Sequence, residues 1–489
     1  MPATDHLLRP LFEPHGVIVA GASTHPGRFG SVALHNLLSG GYQGPVFATS
    51  RDGAEILGVQ TVRSVDELPP HAAELVIVCT PISANVELLR ACARIGVRAA
   101  FVAAAGYAEV GKHGLQAEAD LLTAARKSGI ILAGPNGQGL VSTPNALCAQ
   151  IVAPLPPKGA IAVASQSGNL TSAFMNFARQ TAIGISRAVS VGNAAQLSTF
   201  DYLDYFATDP ATRVSLAYLE SIPADGQFLP RVQQLTQQKP LVLLKGGVSS
   251  LGQRAAQSHT GALATNNAVF AAACRQAGAI RAATPAEAFD AAATFATQPL
   301  PTGPNVVVIT TVGGWGVLAA DAIARSSLTL LPLPDDLHTA LDRLLPPRWS
   351  RNNPIDTAAG ETRDTIPELL TLVAAHTDVH AVILLGVGIQ SNQARLIRDG
   401  RFYPDHGLAR IVDFHERQDR RYAQLAADIS DATGKPILIA SELADTAPDN
   451  PGPSAVRASG RLCYPSPQRA VRALDHLWRD ARRRTQRDQ

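Results

Sequence analysis

The chain has 489 residues, which at about 100–200 residues per domain means two to four domains, each able to bury its own core. Its 42 Lys and Arg against 40 Asp and Glu leave a formal charge of +2, too small for the broad basic field a nucleic-acid partner selects. Hydrophobic residues at 46% and charged residues at 17% are a globular composition, and no apolar run reaches the roughly 18 residues of a membrane span. The start, Met1-Pro2-Ala3-Thr4-Asp5-His6, has no basic segment leading into an apolar stretch, so a cytoplasmic protein with no membrane partner is expected. Cys79, Cys92, Cys148, Cys274 and Cys463 are scattered without a C-x-x-C pair, which predicts reduced thiols and no metal site.

In chain order, residues 14–150 alternate short β-branched runs with helical stretches. The runs 17–20, 46–49, 75–79 and 99–102 are continuously apolar or nearly so, as parallel strands covered on both faces require. Gly129-Ile130-Ile131-Leu132 ends this segment and leads into Gly134-Pro135-Asn136-Gly137. A joint at Pro154-Leu155-Pro156-Pro157 precedes a second strand-loop-helix unit, 161–164 followed by Ser165-Gln166-Ser167-Gly168, with further apolar runs at 215–219 and 241–244. Pro299-Leu300-Pro301-Thr302-Gly303-Pro304 opens a third copy, with runs at 306–309, 381–385 and 436–440. The polar stretch 479–489 is expected to fray. An α/β chain of doubly wound sheets follows, divided at 1–152, 153–300 and 301–489.

The loop at 21–30 follows a predicted strand and opens a helix, so its backbone N–H groups can hold a phosphate. It lacks G-x-G-x-x-G, and the second strand ends in Ser50-Arg51 where an NAD site usually has an acid. Arg51 suits a ribose phosphate, as in NADP or coenzyme A. A tight turn without a ligand is the plain alternative.

Read together, several motifs resemble the α subunit of an NDP-forming acyl-CoA synthetase, the ADP-forming acetate–CoA ligase group related to the succinyl-CoA synthetase α chain. They are the 21–30 loop, Gly134-Pro135-Asn136, Ser165-Gln166-Ser167-Gly168, Tyr218-Leu219-Glu220, Ser258-His259-Thr260-Gly261, Gly313-Gly314-Trp315-Gly316 and Asn353-Pro354-Ile355-Asp356, in family order from about 7 to 477. The resemblance implies a Rossmann-like CoA-binding domain followed by two flavodoxin-like domains. It implies interconversion of acid, CoA and ATP with acyl-CoA, ADP and phosphate through an acyl phosphate and a phosphohistidine.

On this resemblance His259 carries the phosphoryl group and Glu220 holds the other imidazole nitrogen, the pairing that a histidine nucleophile needs. By itself, an isolated histidine after Gln257-Ser258 is more often an ordinary loop histidine, and it is the surrounding motif that reverses this. Phosphate falls to Ser165, Ser167, Gly168 and Asn169 at a predicted helix start. Ser165 could also be a bare helix N-cap, while a hydrolase nucleophile is disfavoured because G-x-S-x-G is missing. Coenzyme A falls to Gly21, Ser23, Gly27, Arg28, Gly30 and Arg51. Asn136 is implied near the thioester, with a structural turn as the alternative. The third domain is assigned no catalytic role.

Gly137 replaces the Cys or Thr of many relatives, Thr49-Ser50 replaces an Asn-Pro, and Thr265-Asn266-Asn267 replaces a Gly and acidic pair. No ATP-grasp portion is visible, so ATP or ADP and Mg2+ are expected only through a β subunit supplied in trans, which requires the His259 loop to move between sites. The other expected partners are a small carboxylic acid and further copies in an oligomer. A non-catalytic CoA or acyl-CoA binder and an NADP-dependent oxidoreductase using Arg51 are the competing readings.

Overall fold

Short apolar runs bounded by glycine loops become parallel strands once helices cover both faces. The computed structural model describes residues 6–222, 226–254, 266–357 and 362–488. Strands β1 (Val17–Ala20) and β2 (Val46–Thr49) are followed by a small hairpin, β3 (Glu55–Ile56) with β4 (Val59–Gln60), and by β5 (Leu75–Val78), β6 (Ala99–Val102) and β7 (Ile131–Ala133). Five of these form a parallel sheet in the order β2-β1-β5-β6-β7. Every residue of β1, β5 and β6 is buried. Val17 and Val19 join one apolar cluster with Leu34 and Leu37, while Ile18 and Ala20 join another with Leu89 and Leu121. Successive side chains thus serve opposite faces.

The second sheet comprises β8 (Gly139–Ser142), β9 (Leu147–Gln150), β10 (Lys158–Ser165), β11 (Ile185–Ser190), β12 (Val214–Leu219), β13 (Leu241–Lys245) and β14 (Ile280–Ala282). Its order is β14-β13-β12-β10-β11-β8-β9. The parallel strands β10 to β14 carry an antiparallel hairpin, β8 on β11 and β9 on β8. The expected first segment ran to 152, yet this hairpin bonds into the second sheet.

The third sheet comprises β15 (Asn305–Thr310), β16 (Thr329–Leu330), β17 (Ile355–Asp356), β18 (Ala381–Leu385), β19 (Ile437–Ala440) and β20 (Cys463–Tyr464). It runs β16-β15-β18-β19-β20, with β17 paired to β15. Asn353 fastens it: Nδ2 donates to Val306 O at 2.8 Å and Leu331 O at 3.0 Å, and Oδ1 accepts from Val308 N at 3.0 Å. The Asn353-Pro354-Ile355-Asp356 motif therefore has a structural use in the sheet.

In the first two sheets the first parallel strand lies between the second and the third, and in the third sheet β15 lies between β16 and β18, so each has a topological switch point, the place where α/β sheets collect ligands. Residues up to Gln180 with Gly184–Phe289 form one compact unit, and Thr181–Ile183 with the chain from Asp290 onward form the other. Inside the first unit Arg187 on β11, only 1% exposed, bonds Asp209 Oδ2 at 3.0 Å and also engages Ser142 and Glu13. A charge so deeply buried is tolerable because it is paired and hydrogen-bonded.

The expected fraying at 479–489 is not found up to Asp488. A single helix, Pro467–Asp488, continues through it. Arg479 pairs with Asp475 at 3.0 Å, and Arg483 and Arg484 pair with the buried Asp480 at 2.8 and 2.6 Å, one helical turn apart as such contacts require. No helix among the described residues is long and apolar enough to cross a membrane.

Candidate active site

The first loop leaves β1 at Gly21, whose φ of +89° a residue with a side chain rarely adopts. Gly21 N donates to Thr49 Oγ1 at 3.2 Å and Ala22 N to Thr49 O at 2.8 Å, which ties the loop to the end of β2. A Cβ at Gly30 would lie 2.1 Å from Gly21 O, so glycine there lets the helix Phe29–Ser39 start directly against the loop. Ser23 Oγ accepts from His25 N at 3.1 Å and His25 Nδ1 from Gly27 N at 3.1 Å, leaving Gly27 and Arg28 at the exposed tip. Arg28 precedes that helix and Arg51 follows β2; both are exposed, and among the described residues neither pairs with a carboxylate. Ser50 is buried with its hydroxyl 2.6 Å from Thr61 Oγ1. Two exposed cations and the N-terminus of the helix Phe29–Ser39 therefore lie beyond the carboxyl ends of β1 and β2, an arrangement that suits a phosphate-bearing nucleotide.

The second switch point lies between β10 and β12. Ser165, at the end of β10, is fully buried; its Oγ donates to Ser167 O at 2.7 Å and accepts from Ser167 N at 3.1 Å. Ser165 thus braces the loop from behind. The N-cap role belongs to Ser167, whose Oγ accepts from Leu170 N at 3.4 Å at the start of the helix Gly168–Thr181. Ser167 and Gly168 are half-buried and Asn169 is exposed, so these three form the open face of the loop.

Glu220 follows β12 on the other side of this switch point. Its N donates to Gln166 Oε1 at 2.5 Å, with Ser221 N reaching the same oxygen at 3.2 Å. Its carbonyl accepts from Lys245 Nζ at 3.1 Å, and Lys245 Nζ also donates to Gly246 O at 2.7 Å. The Tyr218 hydroxyl hydrogen-bonds the Glu220 carboxylate; burial first, then that carboxylate, push the Tyr218 pKa up to about 12. Gln166, Lys245 and Tyr218 thus hold both the backbone and the side chain of Glu220. Lys245 is only 7% exposed, and burial, reinforced by Arg281 and opposed by Glu220, pulls its pKa below the ordinary lysine value. Sequence reading passed over Lys245; the signal available was a lysine closing an apolar strand just before Gly246-Gly247.

His259 and Thr265 lie outside the described residues. Asn266 and Asn267 are engaged locally: Asn266 Oδ1 accepts from Ala268 N at 2.8 Å and Val269 N at 3.3 Å, capping the helix Asn267–Ala277, and Asn267 Oδ1 accepts from Arg281 at 2.7 Å.

The loop after β7, the edge strand of the first sheet, reaches the serine loop of the second. Asn136 has a φ of +60° and is exposed; two residues later Gln138 Nε2 donates to Asn169 Oδ1 at 2.8 Å, and Gln138 Oε1 accepts from Ser172 Oγ at 3.1 Å. Asn136 therefore sits where the carboxyl ends of the first sheet meet the serine loop of the second. Sequence reading missed Gln138 because a polar loop residue has no periodicity to mark it.

Among the described residues, no group of three or more His, Cys, Asp or Glu could hold a metal. The chain matches three family models in succession, the CoA binding domain over residues 15–143, the succinyl-CoA ligase-like flavodoxin domain over 158–295 and the ligase-CoA domain over 306–389. It is 32% identical over 476 residues to the α subunit of acetate–CoA ligase (ADP-forming) I of Pyrococcus furiosus, covering 96% of this chain and 97% of that one. The acetate–CoA ligase (ADP-forming) of Methanocaldococcus jannaschii is 33% identical over 358 residues, which are 73% of this chain but only 50% of that protein. Among solved structures, the dinucleotide-forming acetyl-coenzyme A synthetase 1 of Ca. Korarchaeum cryptofilum, in complex with phosphate and ADP, superposes with a TM-score of 0.82 at 29% identity over 98% of this chain and 97% of that one. These likenesses run through nearly the whole length with the domains in the same order, and the chain belongs to the α subunits of the ADP-forming acyl-CoA synthetase family.

Proposed function

We propose that this chain binds coenzyme A and phosphate and transfers a phosphoryl group from an acyl phosphate to His259. The observation that carries this reading is the second switch point, where Glu220 is fixed on three sides beside the serine loop. Coenzyme A is assigned to the 21–30 loop through Gly21, Ser23, Gly27, Gly30, Arg28 and Arg51. Phosphate is assigned to Ser167, Gly168 and Asn169, with Ser165 as their support. The phosphate oxygen attacks the thioester carbon; the C–S bond breaks, a C–O bond forms, and the thiolate takes up a proton as CoA leaves. Asn136 presents an amide at that carbonyl. His259 then attacks phosphorus through one ring nitrogen, the P–O bond breaks as P–N forms, and the acid departs as its carboxylate, while the Glu220 carboxylate accepts a hydrogen bond from the N–H of the other ring nitrogen, which keeps its proton.

The segments 1–152, 153–300 and 301–489 are proposed as the CoA-binding, phosphohistidine-bearing and second flavodoxin-like domains, the 139–150 hairpin bridging the first two. The name of the Pyrococcus furiosus relative, an α subunit, supports an ATP-grasp β subunit in trans that supplies the nucleotide and Mg2+. The names of the relatives also support acetate or a similar small acid as substrate.

The test is incubation with acetyl-CoA and radiolabelled phosphate, followed by peptide mapping. An acid-labile, base-stable label on the His259 peptide, absent in His259→Ala, is expected. An unlabelled chain that still binds CoA would instead identify a non-catalytic acyl-CoA binder.

A further inference from the structure

The Asn136 loop interlocks with the loop that follows β11. Asn193 N donates to Pro135 O at 2.9 Å, Ala195 N donates to Gly134 O at 3.2 Å, and a Cβ at Gly192 would lie 2.1 Å from Pro135 O. Asn136, at φ +60°, and Ala194, at φ +57°, both hold left-handed backbone conformations that residues with side chains seldom adopt. Such strain is kept where the surroundings over-determine a geometry.

The side chains complete the lock. Asn193 Nδ2 donates to Glu109 Oε2 at 2.6 Å and to Glu118 Oε2 at 2.9 Å, and Asn193 Oδ1 accepts from Asn136 Nδ2 at 3.1 Å. Both carboxyl groups are themselves anchored. Glu109 Oε1 accepts from Gly106 N and from Tyr107 N at 3.1 Å, and Glu118 Oε2 accepts from Ala108 N at 3.3 Å. Burial alone would raise the Glu109 carboxyl, but the bonds from Asn193, Gly106 and Tyr107 outweigh it and hold the group below the usual carboxylate range.

An ionised carboxylate only accepts. The amide end of Asn193 facing Glu109 must therefore be its NH2, its carbonyl must face Asn136, and the end of Asn136 turned toward it must in turn be NH2. No other amide orientation satisfies the chain of bonds. Asn136 is left with one N–H and its carbonyl oxygen unengaged by this network, in a fixed sense, at the meeting of the first sheet's strand ends with the serine loop.

We infer that Asn193 is a positioning residue for acyl transfer: supported by Glu109 and Glu118, it fixes the Asn136 carboxamide so that an N–H faces the thioester carbonyl. The inference rests on the proposed function. Its role is confined to the step at the acyl carbon, so the phosphoryl step from acyl phosphate to His259 should not need it.

The test uses the full chain and two phosphoryl routes. Labelled phosphate with acetyl-CoA requires the thioester step; labelled acetyl phosphate enters after it. Asn193→Ala and Asn193→Asp, the second of which places a carboxylate against Glu109 and Glu118, should slow labelling from acetyl-CoA by about tenfold or more, the scale of loss from a misaligned reacting group. Labelling from acetyl phosphate should stay within about twofold of wild type, which also shows that the variants fold. Equal loss by both routes, or no loss by either, overturns the role of Asn193. A wild-type chain unlabelled by either route would overturn the functional reading beneath it.

Discussion

Gly137 shows how tightly one residue can be constrained next to a site. A Cβ there would lie 2.6 Å from Phe101 Cζ and 2.7 Å from Ser190 O, inside any real contact distance. One obstacle is a fully buried ring and the other a backbone carbonyl on β11, so neither can swing away. Gly137→Ala should destabilise by about 1–3 kcal/mol, the usual cost of overpacking. It would appear as a lower urea midpoint with an unchanged slope. Adding Phe101→Leu should recover part of the loss, since the ring is shortened but the Ser190 carbonyl remains. A Gly137→Ala protein as stable as wild type would show that β11 yields here. Phe101 thus fills the space that a side chain at position 137 would need.

At the scale of elements, the N-terminal helix Arg9–Phe12 is clasped to the base of the first sheet through Glu74, the residue just before β5. Glu74 accepts from Arg9 Nη2 at 2.5 Å and from His15 N at 3.1 Å, and Arg98 lies 3.4 Å away. Burial alone would raise its carboxyl, yet these bonds prevail and hold its pKa below the ordinary value of 4.5. A carboxyl depressed on folding adds stability that is fully present above the unfolded pKa and is lost as pH falls through the folded one. Glu74→Gln should therefore cost about 1–2 kcal/mol near neutrality, and the gap from wild type should close as pH drops below 4.5. Unfolding curves at a series of pH values would check this; a gap constant with pH would remove the ionised clasp.

The strands of these sheets were legible because burial on two faces demands continuous apolar runs, as at Leu75–Val78 and Ala381–Leu385. The glycine loops were legible because a strand that turns straight into a helix needs them. The direction in which residues 139–150 pair was not. Gly139, Leu140, Val141 and Ser142 are compatible with either sheet, and only contact with β11 decides. Nor could the sequence reveal the contacts that Asn193, Gln138 and Lys245 make. Each is an isolated polar residue in or beside a loop, and its importance lies in partners distant along the chain. What the sequence did not show for Ser165 is subtler. Its type fitted a phosphate ligand, but its position as the last residue of a buried strand turns its hydroxyl inward to Ser167.

The first unit is stitched across its two sheets by Arg187 and by the β8–β9 hairpin, so it should behave as one cooperative body. A fragment ending at 300 should unfold in a single calorimetric transition. One ending at 152 keeps Leu140, Val141 and Leu147, all buried in the whole chain, but loses β11, the strand that pairs with β8. An unpaired apolar edge of that kind promotes aggregation, so light scattering should rise for the shorter fragment. Two resolved transitions in the longer one would show that the sheets fold independently.

The same strand order occurs three times, but the third switch point differs in what it holds. There, after β18, the buried Asp419 carboxylate accepts from Ser391 N at 2.6 Å and from the Gly388 backbone, at the start of the helix Ile389–Arg398. A free phosphate arriving at this helix start meets a carboxyl group that already accepts from these backbone N–H groups and is tethered to the same polypeptide, although burial pushes its pKa above the ordinary aspartate value. Such an intramolecular competitor is always present and is never diluted, whereas a dissolved ion must be concentrated to match it. If the serine loop holds phosphate as proposed, raising phosphate in solution should load that loop well before it contests the Asp419 position. A strand order that occurs three times should in this way show unequal appetites for anions, with one aspartate setting the third apart.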